Sequence, residues 1–165
     1  MAAGSTTAFH GEALPEYFAD WSSRAMTAAS FITPNSKVLD LGCGSGLLRD
    51  FLPAGCIWTG YDLRPLSSEI KPLDLDTEAF PPGDFDYVMF LGLLTWLKQP
   101  KRVLRAARRA APYAIANDKR RRWSLRYPIP RAPLRSIIRG TGWSIKDERT
   151  HRVDGLKYYP LCLMA

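Results

Sequence analysis

Val38-Leu39-Asp40-Leu41-Gly42-Cys43-Gly44-Ser45-Gly46 is the stretch on which the reading of this 165-residue chain turns. Lys37 to Leu41 is a short apolar run of the kind that forms a buried parallel strand, which is covered on both faces and so does not alternate. It leads directly into glycines at 42, 44 and 46. Leu47, Leu48, Phe51 and Leu52 then recur at helical spacing until Pro53 and Gly55 stop them. Glycine permits positive φ and lets a ligand lie on the backbone, and a helix N-terminus offers N–H groups that have no partner inside the helix. The segment therefore predicts a strand, a ligand-bearing turn and a helix.

The spacing excludes two common phosphate cradles. A G-x-G-x-x-G turn would need glycine where Leu47 stands, and no Lys-Ser/Thr pair follows as in a nucleoside-triphosphate loop. Asp40 adds a carboxylate at the mouth of the turn. It would repel a pyrophosphate and attract a ligand that carries an ammonium and a sulfonium, as S-adenosylmethionine does. Asp62, 22 residues on, ends a second strand running from Ile57, at the position where α/β nucleoside sites accept both ribose hydroxyls. Asp74 ends a shorter third strand, Leu73 to Leu75, and could accept from an adenine amino group with the Leu75 backbone beside the ring. Asp76 is an alternative for that contact.

Outward from this core the chain alternates strand and helix. Tyr17, Phe18, Trp21, Ala25 and Ala28 predict an amphipathic first helix from Pro15 to about Ser30, with Tyr17 and Trp21 as core anchors. Phe85–Leu91 is a fourth strand. Pro100 opens a helix with Val103, Leu104, Ala107 and Ala111 inward, and Tyr113–Ala116 is a fifth strand. A helix near Leu134–Arg139 precedes two last strands, about 143–148 and 157–164, joined at Asp154-Gly155. This pattern implies an α/β fold, doubly wound, with a mostly parallel sheet, helices on both faces and an antiparallel final strand.

With these residues in view, the chain closely resembles the class I S-adenosylmethionine-dependent methyltransferases over roughly residues 36–165. The likeness rests on VLDLGCGSG at 38–46, GYDL at 60–63, LDL at 73–75 and FDYVMFLGLLTWL at 85–97. It implies a Rossmann-like seven-stranded sheet of order 3-2-1-4-5-7-6 with strand seven reversed. It also implies the cofactor S-adenosyl-L-methionine (product S-adenosyl-L-homocysteine) with no metal. Asp40 and the turn of Gly42, Cys43, Gly44 and Gly46 would hold the methionyl part, Asp62 the ribose, and Asp74 and Leu75 the adenine, with Leu63 also among the cofactor-binding residues. Leu91 would line the methyl-donor pocket. Residues 1–35 would form an N-terminal helix or cap segment ahead of the donor-binding domain at 36–165, and, as this helix can cover the donor site in relatives, Tyr17 or Trp21 would be placed to touch ligand or acceptor instead of serving only as a core anchor. The chain departs from the family in three ways. The second connection is stunted, with a helix only at about Leu66–Ile70. Leu91-Gly92-Leu93-Leu94 is apolar where polar residues are usual, and Trp96 stands where relatives often have histidine. The absence of an Asn-Pro-Pro-Tyr-type signature argues against amino methylation of adenine in nucleic acid. The short connection, Tyr61-Asp62-x-x-Pro65 and Leu91-Gly92 are weakly similar to small polysaccharide-pathway methyltransferases.

Charge bears on the acceptor. The net charge is +7, yet residues 1–100 carry six Lys/Arg against twelve Asp/Glu, and residues 101–135 carry twelve basic residues against Asp118 alone. The cations of 101–109 flank an apolar stripe and read as a solvated helix face. Lys119-Arg120-Arg121-Arg122, with Trp123 and Arg126, is either an exposed loop or the receiver of an anionic acceptor. The expected function is methyl transfer to oxygen or nitrogen of a small, anionic or saccharide-like acceptor. An RNA methyltransferase using residues 119–126, or a catalytically silent partner subunit, are the alternatives. Asp118 is the one candidate base, and no acid–base pair is visible. His10 and His151 read as surface residues. Three cysteines without close spacing fit a reducing cytoplasm, and the longest apolar uncharged stretch, Tyr87 to Leu97, is eleven residues and too short for a membrane span.

Overall fold

Lys37–Leu41 forms strand β1, inside a sheet whose other strands are β2 (Ile57–Asp62), β3 (Lys71–Pro72), β4 (Tyr87–Phe90), β5 (Tyr113–Asn117), β6 (Ile145–Val153) and β7 (Leu156–Met164). The helices are α1 (Pro15–Ala29), α2 (Pro100–Ala110) and α3 (Leu134–Ile138), with a 3-10 turn at Leu47–Phe51. The structure, a computed structural model, describes residues 15–117, 134–153 and 156–165, and within these no side chain of 15–20 or 151–160. The strand order is β3-β2-β1-β4-β5-β7-β6. The pairs from β3 through β5 are parallel, and β7 runs antiparallel to both β5 and β6. This is the doubly wound order implied by the family likeness.

Strand side chains alternate between the two faces. Leu39, Leu41, Val88, Phe90, Ala114, Ala116 and Met164 pack on α2 and α3. Val38, Met89, Ile115 and Leu161 pack beneath Ala25, Ala28, Phe31 and Ile32 at the end of α1. The small residues of β5 let α2 approach closely, and α2 returns Val103, Leu104 and Ala107 to that core. Burying a Val or Leu of this kind stabilises by about 1.5–3 kcal/mol. Pro100 at the first helical position of α2 suits a site whose N–H would be unpaired anyway.

Four elements differ from the sequence reading, among them β6, which runs on to Val153 where a strand over about 143–148 was expected. The third strand is Lys71–Pro72, not Leu73–Leu75. It pairs with the last two residues of β2, Tyr61↔Lys71 and Asp62↔Pro72. Leu73 then turns inward to pack against the core, so Asp74 lies past the strand instead of ending it. No helix forms at 66–70, where turns and bends follow Pro65-Leu66-Ser67-Ser68. The helix after the glycine turn is only a 3-10 turn, Leu47–Phe51, which ends ahead of Pro53 and Gly55. No helix among the described residues is long and apolar enough to cross a membrane.

Candidate functional site

The carboxyl ends of β1 and β2 bring the glycine turn and two aspartates together. Gly42, Gly44 and Gly46 have φ of +66°, +58° and +79°, a region L-residues with side chains rarely adopt. The turn is tied back onto β2, with the Gly42 and Cys43 N–H groups donating to the Tyr61 carbonyl at 2.8 and 3.2 Å. Asp62 braces it from the end of β2: its Oδ2 accepts the Gly44 N–H at 2.8 Å and its Oδ1 the Arg64 N–H at 3.0 Å. At the apex a Cβ on Gly44 would meet nothing within 4 Å, so the outer side of the cradle is open to a ligand.

Asp40 is the chemically unusual group. Only 2% of it is exposed, and burial pushes its carboxyl up to about 7. The Trp58 indole and Arg24 oppose that shift, and Asp62 adds to it. Trp58 Nε1 donates to Asp40 Oδ2 at 3.2 Å. Asp40 pairs in register with Gly60, and the absent side chain there gives the indole its place. A Cβ on Gly60 would overlap the Trp58 ring, and one on Gly46 would lie 3.1 Å from it. The Arg49 guanidinium closes the other side, 5.5 Å from the ring centroid. Arg24 reaches the cluster from α1, its Nη1 lying 3.1 Å from where a Cβ on Gly92 would be.

Trp58 and Arg24 escaped the sequence reading. Trp58 stands diagonally across β1 and β2 from Asp40, so aligning the two strands with the side-chain-free Gly60 between them could have found it. Arg24 carries no local signal. A further unforeseen residue is Asn117, 8% exposed, whose Oδ1 accepts the Gly92 N–H. It anchors the loop after β4 to the end of β5.

The other expected residues are less converged. The Cys43 thiol is pushed up to about 12 by burial and the two aspartates, which suits a small filler and not a nucleophile. Asp74 caps its own turn: its Oδ1 accepts the Asp76 N–H at 2.9 Å. That bond and Thr77 hold its carboxyl below the usual range. Asp76 Oδ1 instead accepts the Lys98 N–H at 2.8 Å, tying this turn to the loop after β4. Leu75 is buried, Leu91 half-buried and Leu63 63% exposed. Asp118 and the basic segment 119–126 lie outside the described residues, as do His10 and the side chains of Tyr17 and His151. Among the described residues no group of three or more His, Cys, Asp and Glu could hold a metal.

Comparison with known proteins agrees with this arrangement. A family model described as a methyltransferase domain matches residues 11–152. A mouse 18S rRNA (guanine-N(7))-methyltransferase is 36% identical over 75 residues, 38% of this chain and 26% of the mouse protein. Its Bos taurus counterpart is 34% identical over 73 residues, covering 36% of this chain and 26% of its own length. The matched stretch is thus about a quarter of either relative. Among solved structures, a SAM-dependent methyltransferase from Aquifex aeolicus superposes with a TM-score of 0.63 at 14% identity, covering 92% of this chain and 99% of that one. A Burkholderia thailandensis 1,6-didemethyltoxoflavin-N1-methyltransferase, solved with 1,6-didemethyltoxoflavin and S-adenosylhomocysteine, gives a TM-score of 0.67 at 14% identity over 91% and 80% of the two chains. With its sheet order and glycine turn, the chain belongs to the class I S-adenosylmethionine-dependent methyltransferase family.

Proposed function

We propose that the protein transfers a methyl group from S-adenosyl-L-methionine to an oxygen or nitrogen of a small, anionic or saccharide-like acceptor. The observation that carries the donor half is the convergence of buried Asp40 and Asp62 on one left-handed glycine turn. A buried carboxyl whose affinity for a proton is raised gains most from a cationic partner, and the open apex at Gly44 leaves room for the ligand's backbone contacts. The residues present thus fit the donor: Asp40 with the glycine turn for the methionyl end, Asp62 and Leu63 for the ribose, and Asp74 with Leu75 for the adenine. Leu91 lines the methyl side.

The donor, when bound, supplies an activated methyl group on a sulfonium. The protein's part is positioning and exclusion of water. Asn117 holds the Gly92 backbone, so Leu91 and Leu93 stay as an apolar wall. Arg24, on the segment 1–35 that we assign as a cap, completes the methionyl end by pairing with the donor's carboxylate while Asp40 takes the ammonium. The donor is expected to raise the melting temperature in a thermal-shift assay, as any ligand selective for the folded state does. An absence of shift with donor and product alike would overturn the reading. Arg24→Met is expected to weaken the donor about tenfold, the scale of one charge-assisted hydrogen bond. It should leave 5′-methylthioadenosine, which lacks the carboxylate, bound as before. Equal weakening of both ligands would remove the carboxylate role.

A second reading, RNA as the acceptor, is favoured by the match to the two 18S rRNA (guanine-N(7))-methyltransferases. Transfer of isotopically labelled methyl to RNA or to a panel of small anions separates the two.

A further inference from the structure

Five cations lie on α2, at 101, 102, 105, 108 and 109. At 3.6 residues per turn they fall within an arc of about 120°, opposite the buried Val103 and Ala107. All five are exposed. The helix carries no acid, and none of the five forms an ion pair with any described residue. A face kept only for solubility mixes both signs. Here Arg105 has a like charge three or four residues away on both sides, at Lys101, Arg102, Arg108 and Arg109, each pair costing about 0.2–0.5 kcal/mol. Lys101 and Arg102 also occupy the first turn, where the helix dipole favours carboxylates. At Lys101, which makes no hydrogen bond or ion pair with the described residues, folding gains nothing from this placement.

The stripe borders a cleft of about 150 Å³ lined by Leu75, Glu78 and Phe80 and, from α2, by Arg102, Ala106 and Arg109. Arg102 is held at its rim by bonds to the Leu75 and Glu78 carbonyls. Successive turns of the helix set Lys101, Arg105 and Arg109 about 6 Å apart, a step comparable to that between neighbouring phosphates of an extended strand. Arg105 and Arg108 are steadied by the Gly140 carbonyl and the Trp143 ring.

We infer that this face of α2 is a docking surface for single-stranded RNA, with phosphates along Lys101, Arg105 and Arg109 and one base in the cleft beside Phe80. The inference deepens the RNA reading above and rests on it. Phosphate neutralisation supplies the affinity, and stacking on Phe80 with Glu78 opposite a base amino group supplies a place for one nucleotide. The start of α2 follows the loop after β4, so a strand lying along the helix leads toward the donor site.

The test is anisotropy titration of a short unstructured RNA against the full chain at several salt concentrations. Lys101→Ala/Arg109→Ala removes two side chains that make no hydrogen bond or ion pair with the described residues, so the melting temperature should hold. Affinity should fall about tenfold or more near 0.1 M salt, and the salt slope should flatten by about 1.4, the share of two phosphates on a single strand. Ala106→Leu, which fills the cleft, should weaken binding with the slope unchanged. If the wild type binds RNA and the double variant binds equally well with the same slope, the α2 surface is overturned while the RNA reading stands. Should Arg120→Ala/Arg122→Ala alone abolish binding in that case, the segment after β5 carries it. If the wild type binds no RNA, both fall, and the donor thermal shift still reports on methyl transfer by itself. Equal or tighter binding to anionic vesicles or polyglutamate would overturn RNA as the occupant.

Discussion

Asp40→Asn is expected to lose most of the affinity for the methyl donor and yet to make the folded protein more stable at pH 8. The loss follows from removing the charge that meets the ammonium in a buried site, on the order of 30–100-fold, or about 2–3 kcal/mol. The gain follows from linkage. Burial raises the Asp40 carboxyl from 3.8 to about 7, so between these values the folded state holds a proton that the unfolded state has released. The stabilisation is complete below pH 4 and is lost as pH rises through about 7. The slope is about 1.4 kcal/mol per pH unit and the total about 4 kcal/mol. Asparagine has no charge to bury and should show no such slope from this position. Denaturant unfolding at pH 5, 6.5 and 8 measures the stability arm. Calorimetric titration of donor over the same range measures the other, with wild-type affinity rising toward pH 8 as the carboxylate forms. An Asp40→Asn protein that binds donor normally, or loses stability with pH as the wild type does, would contradict this account.

Gly60→Ala carries the second large effect. The new methyl would overlap the Trp58 ring at the one buried position of β2, and the indole cannot retreat without breaking its bond to Asp40. Overpacking of this kind costs about 1–3 kcal/mol, and the lost bond adds about 1 kcal/mol. Trp58→Val should cost stability alone, through an unfilled space beside Gly46. Combined with Gly60→Ala it should cost clearly less than the sum, because the second change removes the clash created by the first. Additive losses in urea would show that the indole does not occupy this place in solution.

The interior of the fold was legible in the sequence because its signals were redundant. Lys37–Leu41, the apolar run at 87–90 and the two-faced α2 each declare their burial by composition, and the glycine turn with its flanking aspartates declares a site. What the sequence hid was set by partners. Lys71–Pro72 is a strand only because the end of β2 offers it a ladder, and the more apolar Leu73–Leu75 drew the expectation away from it. Periodicity at 47–52 was real, but Pro53 truncated the helix. The neighbours of Asp40 come from β2 and α1, 18 residues after it and 16 before it, and no local pattern couples them. The aspartates themselves were visible since their residue type is rare on buried strands.

Both margins of the sheet are poor templates for another strand. β3 is two residues long and ends in Pro72, which has no N–H to offer. β6, at the far side, presents Lys146, Asp147, Glu148 and Arg149, with bulges at 145/147 and 150/152. A second copy adding edge to edge would face an absent donor at one rim and a kinked, charged row at the other. The two-residue β3 thereby discourages cross-β growth from an open sheet.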